Sequence, residues 1–157
     1  MIAFAGVPPQ MPRDAKTPAR LHGVPTWLIS RNYARSNAVL SDAFTAKAGG
    51  LRPYHFRLMA SLEEAGPVGQ AELGRVSGID RSDVANMLAE LEQRGLVERT
   101  TDPSNRRRNI VALTNAGKKQ LEALADIIDQ VQEQVVAPLT VTERRQLMKL
   151  LRKLLTD

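Results

Sequence analysis

Residues 70–113, QAELGRVSGIDRSDVANMLAELEQRGLVERTTDPSNRRRNIVAL, decide the fold. They begin with a short helical segment, Gln70 to Val76, in which Leu73 and Val76 are apolar and Gly78 supplies the stop. Beyond a tight turn at Ser77 to Asp80, a second amphipathic helix runs from Arg81 to Arg94. Val84, Leu88 and Leu91 form its apolar stripe, and Gly95 stands where helices commonly end in a left-handed residue. The period then changes. Leu96 to Thr100 reads as a strand, Asp102 to Asn109 as a polar tip and Ile110 to Leu113 as the returning strand.

Working outward, Pro53 starts a preceding helix carrying Phe56, Met59, Ala60 and Leu62, which Gly66-Pro67 closes. Before it, Ile29, Tyr33, Ser36, Leu40, Phe44 and Lys47 step by three and four from a Thr26 N-cap, and Gly49-Gly50 ends that helix. On the far side, Asn115 to Ala137 carries Leu121, Leu124, Ile128, Val131 and Val135 at heptad-like spacing. Pro138 breaks the pattern, and Thr142 reads as the N-cap of a last helix bearing Leu147, Leu150, Leu151, Leu154 and Leu155. Residues 1–25 hold five of the nine prolines and read as a flexible arm. The expected architecture is mainly α with a small β-hairpin wing. A winged helix-turn-helix lobe (51–114) is flanked by dimerisation helices (26–50 and 115–157).

The chain has 157 residues, enough for one domain with its own core, and 43% are hydrophobic. Aromatics are only 4%, so aliphatic side chains fill that core. Cys is absent, which excludes disulfides, thiolate metal sites and thiol redox sensing. His22 and His55 are far apart in sequence, so neither a metal site nor a cofactor is expected. No apolar run reaches the roughly 18 residues of a membrane span, and the N-terminus lacks the basic start of a signal peptide. The expectation is a cytoplasmic protein with no membrane partner. Net charge is +5, but its placement matters more than its size. Residues 1–57 hold eight Lys or Arg against two Asp or Glu, a net +6, and residues 58–157 hold fourteen against fifteen, a net −1. The surplus of Arg13, Lys16 and Arg20 over Asp14 suggests that the arm adds non-specific phosphate contacts. The local triplet Arg106-Arg107-Arg108 at the wing is the stronger sign of an anionic partner.

A helix of this kind fits a major groove about 12 Å wide, its N-terminal residues leading, while a basic hairpin tip reaches the adjacent minor groove or phosphates. Arg81, Ser82 and Asn86 are the residues placed to meet DNA on the helix, with Asn86 suited to a bidentate contact with adenine. Asp83 is repelled by phosphate, so it either accepts from cytosine or turns back to cap the first turn.

These residues carry a resemblance. Glu72-Leu73, Gly78-Ile79, Leu91-Glu92-Gln93-Arg94-Gly95-Leu96-Val97, Asp102-Pro103-Ser104-Asn105-Arg106-Arg107, Val111-Ala112-Leu113-Thr114 and Gly117 resemble the multiple-antibiotic-resistance regulator (MarR) family over Leu51 to Leu155, about two thirds of the chain. The resemblance implies a homodimeric transcription factor, often a repressor. Its paired helices read a palindromic double-stranded operator, and a small, frequently aromatic effector lowers its DNA affinity. It further implies that Arg106 and Arg107 are the wing arginines, the second belonging to the family's Asp-x-Arg signature. Asn105 replaces the acid of that signature, so it can hydrogen-bond but not neutralise, and Arg108 adds a further charge. Ala85 and Asn86 stand where the family often has Ser or Thr followed by Arg, which points to a different preferred sequence. Gly69 replaces a common Thr or Ser cap and leaves Gln70 as the polar contact. The DNA-binding set is therefore Gln70, Arg81, Ser82, Asn86, Arg106, Arg107 and Arg108.

Trp27, Arg31, Tyr33, His55 and Arg57 are alternatives for lining an effector pocket, a cation beside rings suiting an aromatic carboxylate. Packing and ordinary polar roles compete with that reading. An enzyme is disfavoured: Glu63 and Glu64 are adjacent and diverge on a helix, and no phosphate loop, activated nucleophile or metal pair is visible. The other alternative is a winged helix used for protein interaction or non-specific DNA architecture, without an effector.

Overall fold

The computed structural model describes residues 18–102 and 105–155, the side chains of Arg106, Arg107 and Arg108 excepted. Most of the proline-rich arm lies outside that range; from Pro18 the chain makes a single 3-10 turn at Ala19–Leu21 and enters helix α1, Pro25–Lys47. There follow α2 (Pro53–Ala65), β1 (Val68–Gly69), α3 (Gln70–Ser77), α4 (Arg81–Gln93), β2 (Val97–Asp102), β3 (Asn105–Leu113), α5 (Asn115–Val136) and α6 (Val141–Leu155). The mainly helical, winged architecture expected from the sequence is the one observed.

Local chemistry explains the boundaries. Pro25 and Pro53 sit at the first position of α1 and α2, where the missing N–H costs nothing. Gly78 ends α3 in the left-handed conformation, φ +61°, with its N–H bonded to the Gly74 carbonyl. Two caps differ from expectation. Val24, not Thr26, precedes α1, because Pro25 already presets the helical φ. Thr140, not Thr142, starts α6: its N–H and hydroxyl donate to Glu143 Oε2 at 2.8 and 2.7 Å, and the Glu143 N–H reaches back to the Thr140 hydroxyl at 3.4 Å. Those donors hold the Glu143 carboxyl below its ordinary range.

The core lies inside the winged lobe and under α5. Leu58, Met59 and Leu62 of α2 meet Leu73 of α3, Val84, Leu88 and Leu91 of α4, Val97 and Val111 of the sheet, and Leu121 and Leu124 of α5. Each such leucine contributes about 2 kcal/mol by leaving water. Only the second half of α1 joins this core, through Phe44 and the half-buried Leu40; Ile29 and Tyr33, expected on the same apolar stripe, are exposed.

The sheet has three strands, in the order β1-β3-β2. The two-residue strand β1 was not foreseen; it pairs Val68 with Val111 and Gly69 with Ile110, tying the start of α3 to the base of the wing. The wing is longer than expected. Pairing runs from Val97 with Leu113 to Thr101 with Asn109, then jumps to Asp102 with Asn105. Strand β3 thus begins at Asn105, inside the stretch read as tip, and the register shift falls on Arg106, Arg107 and Arg108.

At the lobe's other edge, α5 is stapled to the end of α4. The Thr114 hydroxyl accepts from the Gly117 N–H at 2.9 Å and donates to the Gly95 carbonyl at 2.7 Å. A Cβ at Gly117 would sit 1.9 Å from the Leu96 carbonyl oxygen. Glycine is required there by backbone approach rather than by φ.

Candidate nucleic-acid interface

The α3-turn-α4 unit presents its second helix with an open N-terminal face. Asp80 caps α4: Oδ1 accepts from the Ser82 N–H at 2.9 Å and from the Ser82 hydroxyl at 2.7 Å, which holds the Asp80 carboxyl below its usual range. Capping is thus the work of Asp80 and not of Asp83, and the Ser82 hydroxyl spends its proton on the cap while keeping lone pairs to accept with. Val84, Met87, Leu88 and Leu91 turn inward; Arg81, Ser82, Asp83 and Asn86 are all exposed. Ser82 and Asn86 are one turn apart on the same face. Gln70, half-buried, is the first residue of α3, directly after the residue paired to Ile110 of the wing. Arg106, Arg107 and Arg108 lie along β3 at its tip end by backbone position; their side chains fall outside the described part.

The residues weighed for an effector pocket do not converge. The His55 side chain is fully buried, its Nδ1 accepting the Arg52 N–H at 2.9 Å and its Nε2 lying 3.1 Å from Glu90 Oε2 but off the line of a good hydrogen bond. Burial, with Arg52 and Arg94 near, pulls the imidazole pKa below its ordinary value against the opposing pull of Glu90. Arg57 lies across the Gly78 turn, where a Cβ would meet its Nη2 at 2.8 Å. The Arg31 guanidinium stands 5.8 Å from the Trp27 ring centroid, a cation-π arrangement, and Tyr33 is exposed. Of the five, only Arg31 lines the groove of about 800 Å³ beside α1, together with Arg35, Val39, Asp42, Lys47 and Gln134. Sequence reading missed Arg35 and Lys47 in this groove, because their facing helix, α5, lies some ninety residues away along the chain.

It also missed how the far end of α4 is held. Glu90 Oε1 lies 2.9 Å from Arg52 Nη2, Arg94 Nη1 donates to the Gly49 carbonyl at 2.8 Å, and Glu92 Oε2 meets Arg99 Nε of β2 at 3.1 Å. No short motif joins such distant positions. Among the described residues no group of three or more His, Asp or Glu could hold a metal ion, and no helix is long and apolar enough to cross a membrane.

An exposed, capped helix, a partner helix behind it and a hairpin with three arginines beside it define a winged helix-turn-helix of the kind that binds duplex DNA. Comparison with known proteins narrows the class. The MarR family model matches residues 51–108. The chain is 30% identical over 128 residues to the transcriptional repressor NicR of Pseudomonas putida, covering 82% of this chain and 80% of NicR. Among solved structures, a probable transcriptional regulator from Pseudomonas aeruginosa is 32% identical with a TM-score of 0.70, covering 82% of this chain and 95% of that one. Bordetella bronchiseptica BpsR, whose DNA binding is regulated by 6-hydroxynicotinic acid, is 25% identical with a TM-score of 0.69, over 82% and 96% of the two chains. The chain belongs to the MarR family, and it is a DNA-binding transcriptional regulator.

Proposed function

We propose that the protein works as a homodimeric repressor in the cytoplasm, without catalytic turnover. Its two α4 helices enter successive major grooves of a palindromic operator. The observation that carries this reading is the uncovered N-terminal face of α4, where Arg81, Ser82 and Asn86 stand free of any packing duty beside the arginine-bearing wing. Asn86 supplies base reading; Gln70 and the arginines at 106–108 supply positioning on phosphates and in the minor groove. The second copy is supported by what one chain leaves open. Leu28, Ile29 and Tyr33 at the start of α1, and Met148, Leu150, Leu151, Leu154 and Leu155 of α6, are all exposed. Exposed apolar residues gathered on helix faces in this way are what a second copy would cover.

The effector is a small aromatic acid held in the α1 groove. Arg31, Arg35 and Lys47 supply cations for a carboxylate and Ala38 and Val39 an apolar wall. The ligand named for BpsR is an acid of this kind.

Fluorescence anisotropy on the promoter region beside the protein's own gene, against a random duplex of equal length at physiological salt, tests the DNA assignment. Specific binding should exceed random binding by at least about a thousandfold. Equal affinity for both duplexes would leave a non-specific architectural protein. Titrating the complex with 6-hydroxynicotinic acid should release the operator, and Arg35→Ala should abolish that release while leaving operator affinity intact.

A further inference from the structure

One end of α4 is free and the other is held on three sides. The free end carries the base-reading residues; the last turn is tied through Glu90 to Arg52, through Arg94 to the Gly49 carbonyl and through Glu92 to Arg99 on the wing. Val84, Met87, Leu88 and Leu91 fasten the helix to the core, but burial is non-directional and changes little when a helix slides or rolls by a fraction of an ångström. Hydrogen bonds and ion pairs have narrow ranges of length and angle, so they fix what packing leaves soft.

Glu90 differs from the other two ties in facing two groups at once, the Arg52 guanidinium and the buried His55 ring. His55 has no freedom: its ring is fully buried and its Nδ1 is committed to the Arg52 N–H, so the neutral ring carries its proton on Nε2, facing Glu90. The other carboxylate oxygen takes the Arg52 guanidinium at 2.9 Å. A single carboxylate on the reading helix thus holds the Arg52 side chain, just before α2, and rests 3.1 Å from the imidazole that accepts the Arg52 N–H.

We propose that Glu90 is a positioning residue for DNA reading, setting the roll and axial position of α4 on the N-terminus of α2 so that Arg81, Ser82 and Asn86 meet base edges in register. This rests on the DNA-reading role of α4 proposed above. Base contacts demand that register, whereas phosphate contacts tolerate its loss. Removing Glu90 therefore lowers the ratio of specific to random affinity, a quantity that a simple loss of folded protein leaves unchanged.

The test compares wild type, Glu90→Ala and Glu90→Gln on the operator and on a random duplex at one salt concentration. Glu90 is partly exposed and alanine is the better helix former, so the first variant folds. Glu90→Ala should lose about tenfold on the operator, the cost of one poorly read base pair, and change random binding by less than about twofold. Glu90→Gln, which keeps an acceptor for Arg52 and the same volume, should recover most of the ratio. A Glu90→Ala protein with an unchanged ratio, or with equal losses on both duplexes, overturns the positioning role. A wild-type protein with no preference for the operator overturns the DNA-reading assignment first and the proposal with it, and the wild-type arm alone tells these failures apart.

Discussion

Leu88 and Leu154 are both leucines on amphipathic helices, yet Leu88 is 0% exposed and Leu154 is 70% exposed. The difference lies in what the chain brings over each helix. Around α4 the fold returns α2, α3 and the sheet, so the winged lobe closes its own core. Among the described residues no residue of α6 is buried, and Arg144 at its first turn ties it to Glu133 at 2.7 Å and to the Leu139 carbonyl at 3.1 Å. Amphipathic spacing shows that a helix has a side to bury, and topology decides whether its own chain buries it. One region of this molecule closes its own core, and the other leaves its apolar face exposed.

That contrast is broken most severely from inside the lobe. Gly117→Ala drives a Cβ into the Leu96 carbonyl oxygen at 1.9 Å, a main-chain atom that cannot rotate away, and should cost at least about 4 kcal/mol in a denaturant melt. A loss below about 1 kcal/mol would mean that α5 can step away from the α4–β2 junction. From outside, Leu151→Asp combined with Leu154→Asp should weaken self-association by at least about a hundredfold in sedimentation, since each carboxylate would have to be buried. The melting temperature of the lobe should stay put, and a double variant that remains dimeric would show α6 to be irrelevant to pairing. Smaller still is Asn86→Ala, which should cost about 2 kcal/mol at one operator position. Arg107→Ala, by contrast, should weaken all duplexes alike and lower the salt slope by about 1. Equal behaviour of the two variants on all sequences would remove Asn86 from base reading.

The gentlest probe is pH. Burial lowers the folded-state pKa of His55 below the 6.5 of a free imidazole, so between the two values the unfolded chain binds the extra proton. Its contribution to stability is whole above pH 6.5 and is lost as pH falls from there toward the folded value, with a slope of at most about 1.4 kcal/mol per pH unit. Protonation at Nδ1 would turn the acceptor of the Arg52 N–H into a second donor. His55→Gln, which can accept the same N–H at the third helical position, should flatten that slope in melts taken from pH 7.5 to 5.5. A slope shared by both proteins would place the titration elsewhere.

The lobe was legible because its signals are local. Gly78 and Gly95, both at positive φ in the structure, punctuate α3 and α4 where the apolar stripes stop. Local signals misled where two of them competed. Thr140 and Thr142 both precede Glu143, and only the spacing of three residues permits the reciprocal bonds seen. Strand β1 has two residues, too few for an alternation to exist. At the interface, exposure of Arg81, Ser82 and Asn86 followed from helical period, whereas the grip on α4 was invisible because Arg52 and Glu90 meet across thirty-eight positions. The histidine that sequence reading weighed as a ligand group is instead the buried stop behind Glu90.

The wing's register has a practical consequence. It is pinned at the base from both sides, by Val97 with Leu113 and by Val68 with Val111, and it slips only near the tip. The hairpin therefore behaves as a probe of adjustable length mounted on a fixed foot. Residues added or removed between Asp102 and Asn105 would alter how far it extends while leaving the foot, and with it the seating of α3, where it is. Wing length can thus change without disturbing the packing of α3 and α4.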